Sequence, residues 1–154
     1  MILRRATPAD APTLARLNAH VQGWHAAQYP ETFFATPDPE GLIAYFQGRL
    51  AGPGCTAFLA DDPALGYALC SLQERAASVF SPAIRRLLVE HVAVAPEARR
   101  RGVGRALMQA ARDLAGALQV DEIVLDTWEA NHEAHAFFRA EGFSPCRMLF
   151  RCKP

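Results

Sequence analysis

Apolar positions in this chain change period several times, and each change marks an expected element. Residues 2–6 read as a short strand, and TPAD then supplies a helix start with Thr7 as N-cap, Pro8 in the first position and Asp10 in the third. Leu14, Leu17 and Val21 follow at helical spacing, so the first helix reaches about His20 or beyond. The stretch HVQGWHAAQYPETFFATPDPEG, rich in aromatics and punctuated by Pro30, Pro37 and Pro39, reads as a broken helix and loop. A second helix is expected over residues 39–50, ended by Gly52, Pro53 and Gly54. CTAFLA and LGYALCSLQE are strand-like, and the DDPA between them is a turn signal that predicts an antiparallel hairpin.

Residues 87–95, LLVEHVAVA, are apolar at nearly every position, as expected of a central strand covered on both faces. From Gly102 the period becomes helical, with Val103, Leu107, Ala110, Ala111, Leu114 and Leu118 on one face and an end near Gln119. DEIVLDTW is then a second strand, parallel to the first because a helical crossover separates them. NHEAHAFFRAEGF predicts a short helix with Ala134, Phe137 and Phe138 inward and Gly142 as its stop, and residues 143–151 read as a final strand. No internal repeat or low-complexity segment is visible.

Composition narrows the function classes. At 154 residues the chain is expected to form one domain, 1–154, that can bury a substantial core without disulfides or metal. Sixteen basic residues balance sixteen acidic ones, so the protein lacks the basic field of a nucleic-acid binder. No apolar run approaches the roughly 20 residues of a membrane span, and MILRRATPAD has no apolar signal core. A cytoplasmic location follows as the expectation, with no membrane partner. Cys55, Cys70, Cys146 and Cys152 form no CxxC pair and are expected to be reduced and mostly buried.

The chemistry concentrates in EHVAVAPEARRRGVGRAL, residues 90–107, where a buried strand gives way to a helix start. Several N–H groups have no intrahelical partner there and the helix dipole adds positive potential, so an anion fits. Glycines at 102 and 104 let a phosphate approach the main chain. A triphosphate loop needs GxxxxGK[ST], but Arg105 and Ala106 follow Gly104. A dinucleotide fingerprint needs a third glycine that Arg105-Ala106-Leu107 lacks, although Asp126 could serve as its acidic residue. A solvated basic helix start with turn-shaping glycines is the plain alternative.

VAPEARRRGVGRAL followed by NHEAHAFFRAEGF resembles the GCN5-related N-acetyltransferase (GNAT) superfamily. Arg99, Gly102 and Gly104 match its [QR]-x-x-G-x-[GA] loop, and the second piece matches its N-x-x-A-x-x-x-[YF]-x-x-x-G-F ending. The order of elements agrees over nearly the whole chain. The resemblance implies a single-domain α/β (α+β) fold with a mixed, mostly antiparallel sheet, a splayed central parallel strand pair and flanking helices. It implies acetyl-CoA as cofactor, with coenzyme A as product. Backbone groups of Val92 and Val94 would meet the pantetheine arm, and those of Arg99, Arg100, Arg101, Gly102, Val103, Gly104 and Arg105 the pyrophosphate. Asn131 matches the family's asparagine near the cofactor and is also an ordinary N-cap.

The implied reaction moves an acetyl group from the thioester to an amine of a small molecule or peptide. An ammonium with a pKa near about 10.4 must first lose a proton. Glu90 lies where several relatives carry a base and would act through water; His91, nearer about 6.5, is the better match in pKa. Adjacent strand residues face opposite sides, so one of the two is expected in the cleft. Phe138 stands where many relatives place a tyrosine that protonates the thiolate; Tyr29, Tyr67, His135 or water could substitute, or the thiolate could leave stabilised by N–H dipoles. Acceptor contacts are expected from Trp24, His25, Tyr29 and Phe33, with Phe34 nearby, either as cation-binding faces or as an apolar lid. Few acids lie there, Glu31 and Asp38 excepted, which favours a small amine over a polycation. His132 and His135 lie three apart but have no third ligand, so no metal is expected. A catalytically weak acyl-CoA sensor or interaction module of the same fold is the alternative, suggested by Phe138. An exposed strand edge and the apolar final segment leave room for a homodimer.

Overall fold

A computed structural model describes residues 1–61 and 63–154; Asp62, inside the expected DDPA turn, lies outside the described residues. The elements are β1 (Leu3–Arg5), a 3-10 turn (Pro8–Asp10), α1 (Ala11–Gln28), α2 (Pro39–Ala51), β2 (Cys55–Ala60), β3 (Gly66–Arg75), β4 (Ile84–Val94), a second 3-10 turn (Pro96–Ala98), α3 (Val103–Ala117), β5 (Ile123–Val124) and α4 (His132–Ala140). The strands stand in the order β1-β2-β3-β4-β5, antiparallel from β1 to β4 and parallel between β4 and β5. This is the mixed, mostly antiparallel α/β architecture expected.

Local chemistry sets the element ends. Thr7 opens the 3-10 turn rather than α1 itself, because the Asp10 carboxylate reaches back to accept the Thr7 N–H at 2.8 Å. Arg4 clamps Asp10 with two bonds, 2.7 and 2.9 Å, and holds its carboxyl well below the usual carboxylate range. Helix α1 runs through Gly23 to Gln28, within the expected reach to about His20 or beyond, and breaks at Tyr29, the residue that Pro30 keeps out of the helical region. Asp38 caps α2 by accepting the Gly41 N–H at 2.6 Å.

The sheet separates two helical layers. Leu59, Tyr67 and Leu69 share one face and are fully buried, as are Leu14, Leu17 and Phe46 of α1 and α2, with the Phe46 ring 5.9 Å from that of Tyr67. On the other face Gly66 lies against Val103 and Leu107 of α3. Helix α3 turns Leu107, Met108 and Ala111 fully inward, as its apolar period predicts. Each such Leu or Met stabilises the fold by about 1.5–3 kcal/mol through burial.

Alternation along β4 breaks once. Cys70 of β3 pairs with Val89 and Leu69 with His91, so Glu90 has no opposite residue and forms a β-bulge. Leu87 and Val89 therefore point to the α3 face below the bulge, whereas Val92 and Val94 do so above it.

Two expectations about the C-terminal third need correction. DEIVLDTW forms ladder bonds only at Ile123 and Val124, paired with Leu87 and Leu88. Residues 143–151 form no strand, and Met148, Leu149 and Phe150 are 74, 92 and 83 % exposed. The physical reason lies in β5: its two paired residues offer almost no edge to extend, and Pro145 brings no N–H to a ladder. The cysteines follow suit, since Cys70 is buried and Cys55 half-buried but Cys146 and Cys152, on the unpaired tail, are exposed.

Candidate functional site

Pairing between β4 and β5 stops at Leu88 and Val124, while β4 continues to Val94. From Val89 onward β4 keeps its bonds to β3 and, among the described residues, has no ladder partner on the opposite edge. The pairing thus ends where the family resemblance implies a splay, and Val92 and Val94 lie on the segment of β4 beyond it. An extended amide chain is complementary to such an edge.

The arginine loop closes one end of this opening. Gly102 has φ +83°, a left-handed conformation that a side chain disfavours, and an added Cβ would point into open space. Arg100 shares the left-handed region at φ 59°. The first bond of α3 runs from the Ala106 N–H to the Gly102 carbonyl at 3.0 Å, and among the described residues no acceptor meets the N–H groups of Val103, Gly104 and Arg105. Three convergent donors at a helix start, with Arg100 and Arg101 exposed beside them, suit a diphosphate.

The two glycines have different tasks. A Cβ at Gly104 would lie 3.1 Å from Phe137 Cζ, so this glycine admits the ring of α4. The four arginines divide likewise. Arg99 meets Glu133 at 3.9 Å, and Arg105 meets Glu141 at 3.3 Å. Glu141, 7 % exposed in its side chain, also accepts from Arg112 at 3.0 Å, which ties α3 to the end of α4. Sequence reading missed this carboxylate because its partners lie about thirty residues away.

Glu90 and His91 occupy the same face, contrary to the alternation expected of neighbours on a strand, because the bulge at Glu90 shifts the phase. Both meet α2. Arg49 Nη1 donates to Glu90 Oε2 at 2.7 Å, Nη2 donates to Oε1, and Nη2 also lies 3.7 Å from the Cys55 sulfur. Burial pushes the Glu90 carboxyl up, but the Arg49 hydrogen bonds and charge outweigh it and leave the net shift downward. Cys70 is pushed up to about 12 by burial.

His91 has a different environment. The Phe46 and Tyr67 rings lie edge-on at 6.0 and 6.1 Å, and His91 Nδ1 is 3.2 Å from the Tyr67 hydroxyl, which accepts from Asn18 Nδ2 at 2.9 Å. Burial lowers the His91 pKa against the pull of Glu90, so the ring is neutral at pH 7. Burial lowers that of His25 as well, against the attraction of Asp126.

The aromatics expected at the acceptor end form a cluster. His25 stacks on Phe33 at 4.7 Å, Trp24 stands edge-on to His25 at 5.4 Å, and Tyr29 lies 4.3 Å from Trp128. Trp128 was not singled out in the sequence, since it looked like the end of a strand; it contacts Phe33 at 5.3 Å and joins the β5 side to α1. Phe34 stays outside, 83 % exposed. Asn131 caps α4 by accepting the Ala134 N–H at 3.1 Å, and His135 Nε2 lies 3.1 Å from the Trp128 carbonyl. The His132 and His135 rings are 6.0 Å apart. Phe138 packs between Phe137 and Phe143 at 5.1 and 5.9 Å.

An open strand edge beside a glycine loop at a helix start is complementary to an extended amide arm that ends in a diphosphate. The model of the Acetyltransferase (GNAT) family matches residues 18–143, and the chain belongs to that family. An uncharacterised N-acetyltransferase, YhfO of Bacillus subtilis (strain 168), is 26 % identical over 143 residues, covering 93 % of this chain and 89 % of that one. Among solved structures, a tetramutant of the BH1408 protein from Bacillus halodurans superposes with a TM-score of 0.90 at 24 % identity, covering all of both chains. A putative acetyltransferase from Arthrobacter sp. FB24 gives 0.73 at 26 % identity, over 100 % of this chain and 96 % of that one. An aminoglycoside N-acetyltransferase, AAC(6')-Iy, solved in complex with CoA, gives 0.71 at 21 % identity, over 99 % and 93 %. The family model and the Bacillus subtilis relative support acetyl transfer in general, the solved structures at 24 and 21 % identity show the shared fold, and no helix among the described residues is long and apolar enough to cross a membrane.

Proposed function

We propose that this chain transfers the acetyl group of acetyl-coenzyme A directly to an amine of a small molecule or peptide. The observation that carries the reading is the end of β4–β5 pairing at Leu88 and Val124, next to the N–H groups of Val103, Gly104 and Arg105, which have no acceptor among the described residues. The residues present fit the cofactor: the backbone of Val92 and Val94 takes the amide-containing arm, and the loop from Arg99 to Arg105 takes the pyrophosphate. Arg100 and Arg101 screen its charge, and Asn131 lines the same end while capping α4. When bound, the cofactor supplies an activated acyl carbon and a thiolate leaving group.

Proton removal from the acceptor falls to His91 rather than Glu90. His91 is a ring kept neutral by burial, while the Glu90 carboxylate is engaged on both oxygens by Arg49 and is a weaker base than a free carboxylate. Glu90 then serves to hold α2 over the cleft. Trp24, His25, Tyr29 and Phe33 frame the acceptor. Phe138 packs beside the cofactor and donates no proton, so the thiolate leaves stabilised by N–H dipoles.

Release of free thiol from acetyl-coenzyme A across a panel of amines tests the reading. His91→Gln is expected to lower kcat/KM by about a hundredfold or more and to remove the acid limb of its pH profile. Glu90→Gln should retain that limb. A second reading, an acyl-CoA-binding sensor, is favoured by Phe138 at the tyrosine position and by the engaged Glu90. Tight coenzyme A binding without turnover of any amine would select it.

A further inference from the structure

Residues 143–154 carry no regular structure, yet their end is anchored at the aromatic cluster. The Arg151 guanidinium carbon lies 5.9 Å from the Tyr29 ring centroid and 6.0 Å from that of Trp128. Two residues on, the Lys153 ammonium meets the Glu31 carboxylate at 3.0 Å, with both side chains largely in water. The apolar trio Met148, Leu149 and Phe150 projects outward. The tail therefore holds on through its charges, one on ring faces and one on a carboxylate, and not through its hydrophobic residues. Contacts of this exposed kind are individually weak and are readily exchanged for equivalent ones.

The rings have anchors other than Arg151. The Tyr29 hydroxyl accepts the Ala130 N–H at 3.2 Å, Trp128 is flanked by Phe33, and His135 lies against the Trp128 carbonyl. Preformed ring faces with a carboxylate nearby recognise an organic cation through the quadrupoles of the rings.

We propose that the Tyr29 and Trp128 faces form a cation subsite at the acceptor end of the cleft, held in the resting chain by its own Arg151 and taken over by an acceptor that carries an ammonium or guanidinium group. This rests on the reading of that end as the acceptor's. It names the acceptor class as a small organic cation, with Glu31 available to a second positive charge. It also makes the tail a competitor whose release accompanies acceptor binding.

The test titrates the full chain with methylguanidinium and, separately, tetramethylammonium, using calorimetry and tryptophan fluorescence, with tert-butanol as the uncharged control. Wild type is expected to bind both cations weakly, and Arg151→Met to bind them about two- to fivefold tighter, since the resident cation is gone. Tyr29→Leu, which retains Trp128 as reporter, and Trp128→Leu should each lose saturable binding. Cation affinity that Arg151→Met leaves unchanged, or tert-butanol binding equal to that of tetramethylammonium, would overturn the proposal and make the cluster an apolar lid. Coenzyme A titrations on the same samples separate the two readings. Cation binding without coenzyme A binding sinks the acetyl-transfer reading alone; coenzyme A binding without cation binding sinks this one alone.

Discussion

At the α3 end of the cleft the chain offers main chain: Gly102 at φ +83° and, among the described residues, three N–H groups without an acceptor and a strand edge without a partner. At the α1 and α2 end it offers side chains gathered from Asn18 to Arg151. A site built from backbone depends on φ angles and close approach, and its side chains can vary. A site built from side chains depends on each partner's presence, and its backbone is ordinary helix and strand. The two ends should therefore fail to different kinds of substitution.

The largest expected effect lies at the side-chain end. Arg49→Ala strands the Glu90 carboxylate, 16 % exposed, and should cost about 2–3 kcal/mol in urea denaturation, less than a fully buried pair because the guanidinium is 30 % exposed. Arg49→Met combined with Glu90→Gln should recover most of that loss; a double variant as unstable as the single one would break the pairing argument.

At the backbone end, Gly102→Ala should lower stability by about 1–2 kcal/mol through its left-handed φ, with a weaker affinity for coenzyme A. Gly104→Ala acts differently, pressing on Phe137 at 3.1 Å and shifting α4. If both alanine variants bind coenzyme A as wild type does, the loop is not the diphosphate site. Asn131→Ala removes the α4 cap and should cost about 1 kcal/mol by thermal melting, with no effect on Arg49 or Glu90.

The smallest effect is a pH slope. His91 and His25 have folded pKa values below the unfolded value of about 6.5, so their contribution is fully present above that pH and is lost as pH falls through the folded values. Asp10 and Glu90, also lowered, lose theirs further down, below about pH 4. Stability should decline in two stages on acidification, and His91→Gln should flatten the upper one. An unchanged upper stage in that variant would show that His91 is not buried neutral.

Much of this was legible in the sequence because it is local. Periodicity located the helices and the central strands, and the paired motifs located the loop at Arg99, Gly102 and Gly104. Long-range pairings were not legible. Nothing near Glu90 announces Arg49, forty-one residues earlier. The bulge is equally silent, since LLVEHVAVA reads as an unbroken strand and only the register against Leu69 and Cys70 reveals the extra residue. The final strand was misread because the edge that residues 143–151 would need ends at Val124, which nothing in their own sequence announces.

That extra residue behaves like a frameshift written in geometry. Odd-numbered positions Leu87 and Val89 serve α3 before it, and even-numbered Val92 and Val94 serve it afterwards, so a rule for tolerated substitutions learned on one half of β4 inverts on the other. Deleting a single residue at position 90 would restore the plain reading frame of the strand. Because Glu90 is the residue without an opposite, the imidazole and the two valines would keep their layers, and the whole loss would fall on the carboxylate that holds Arg49.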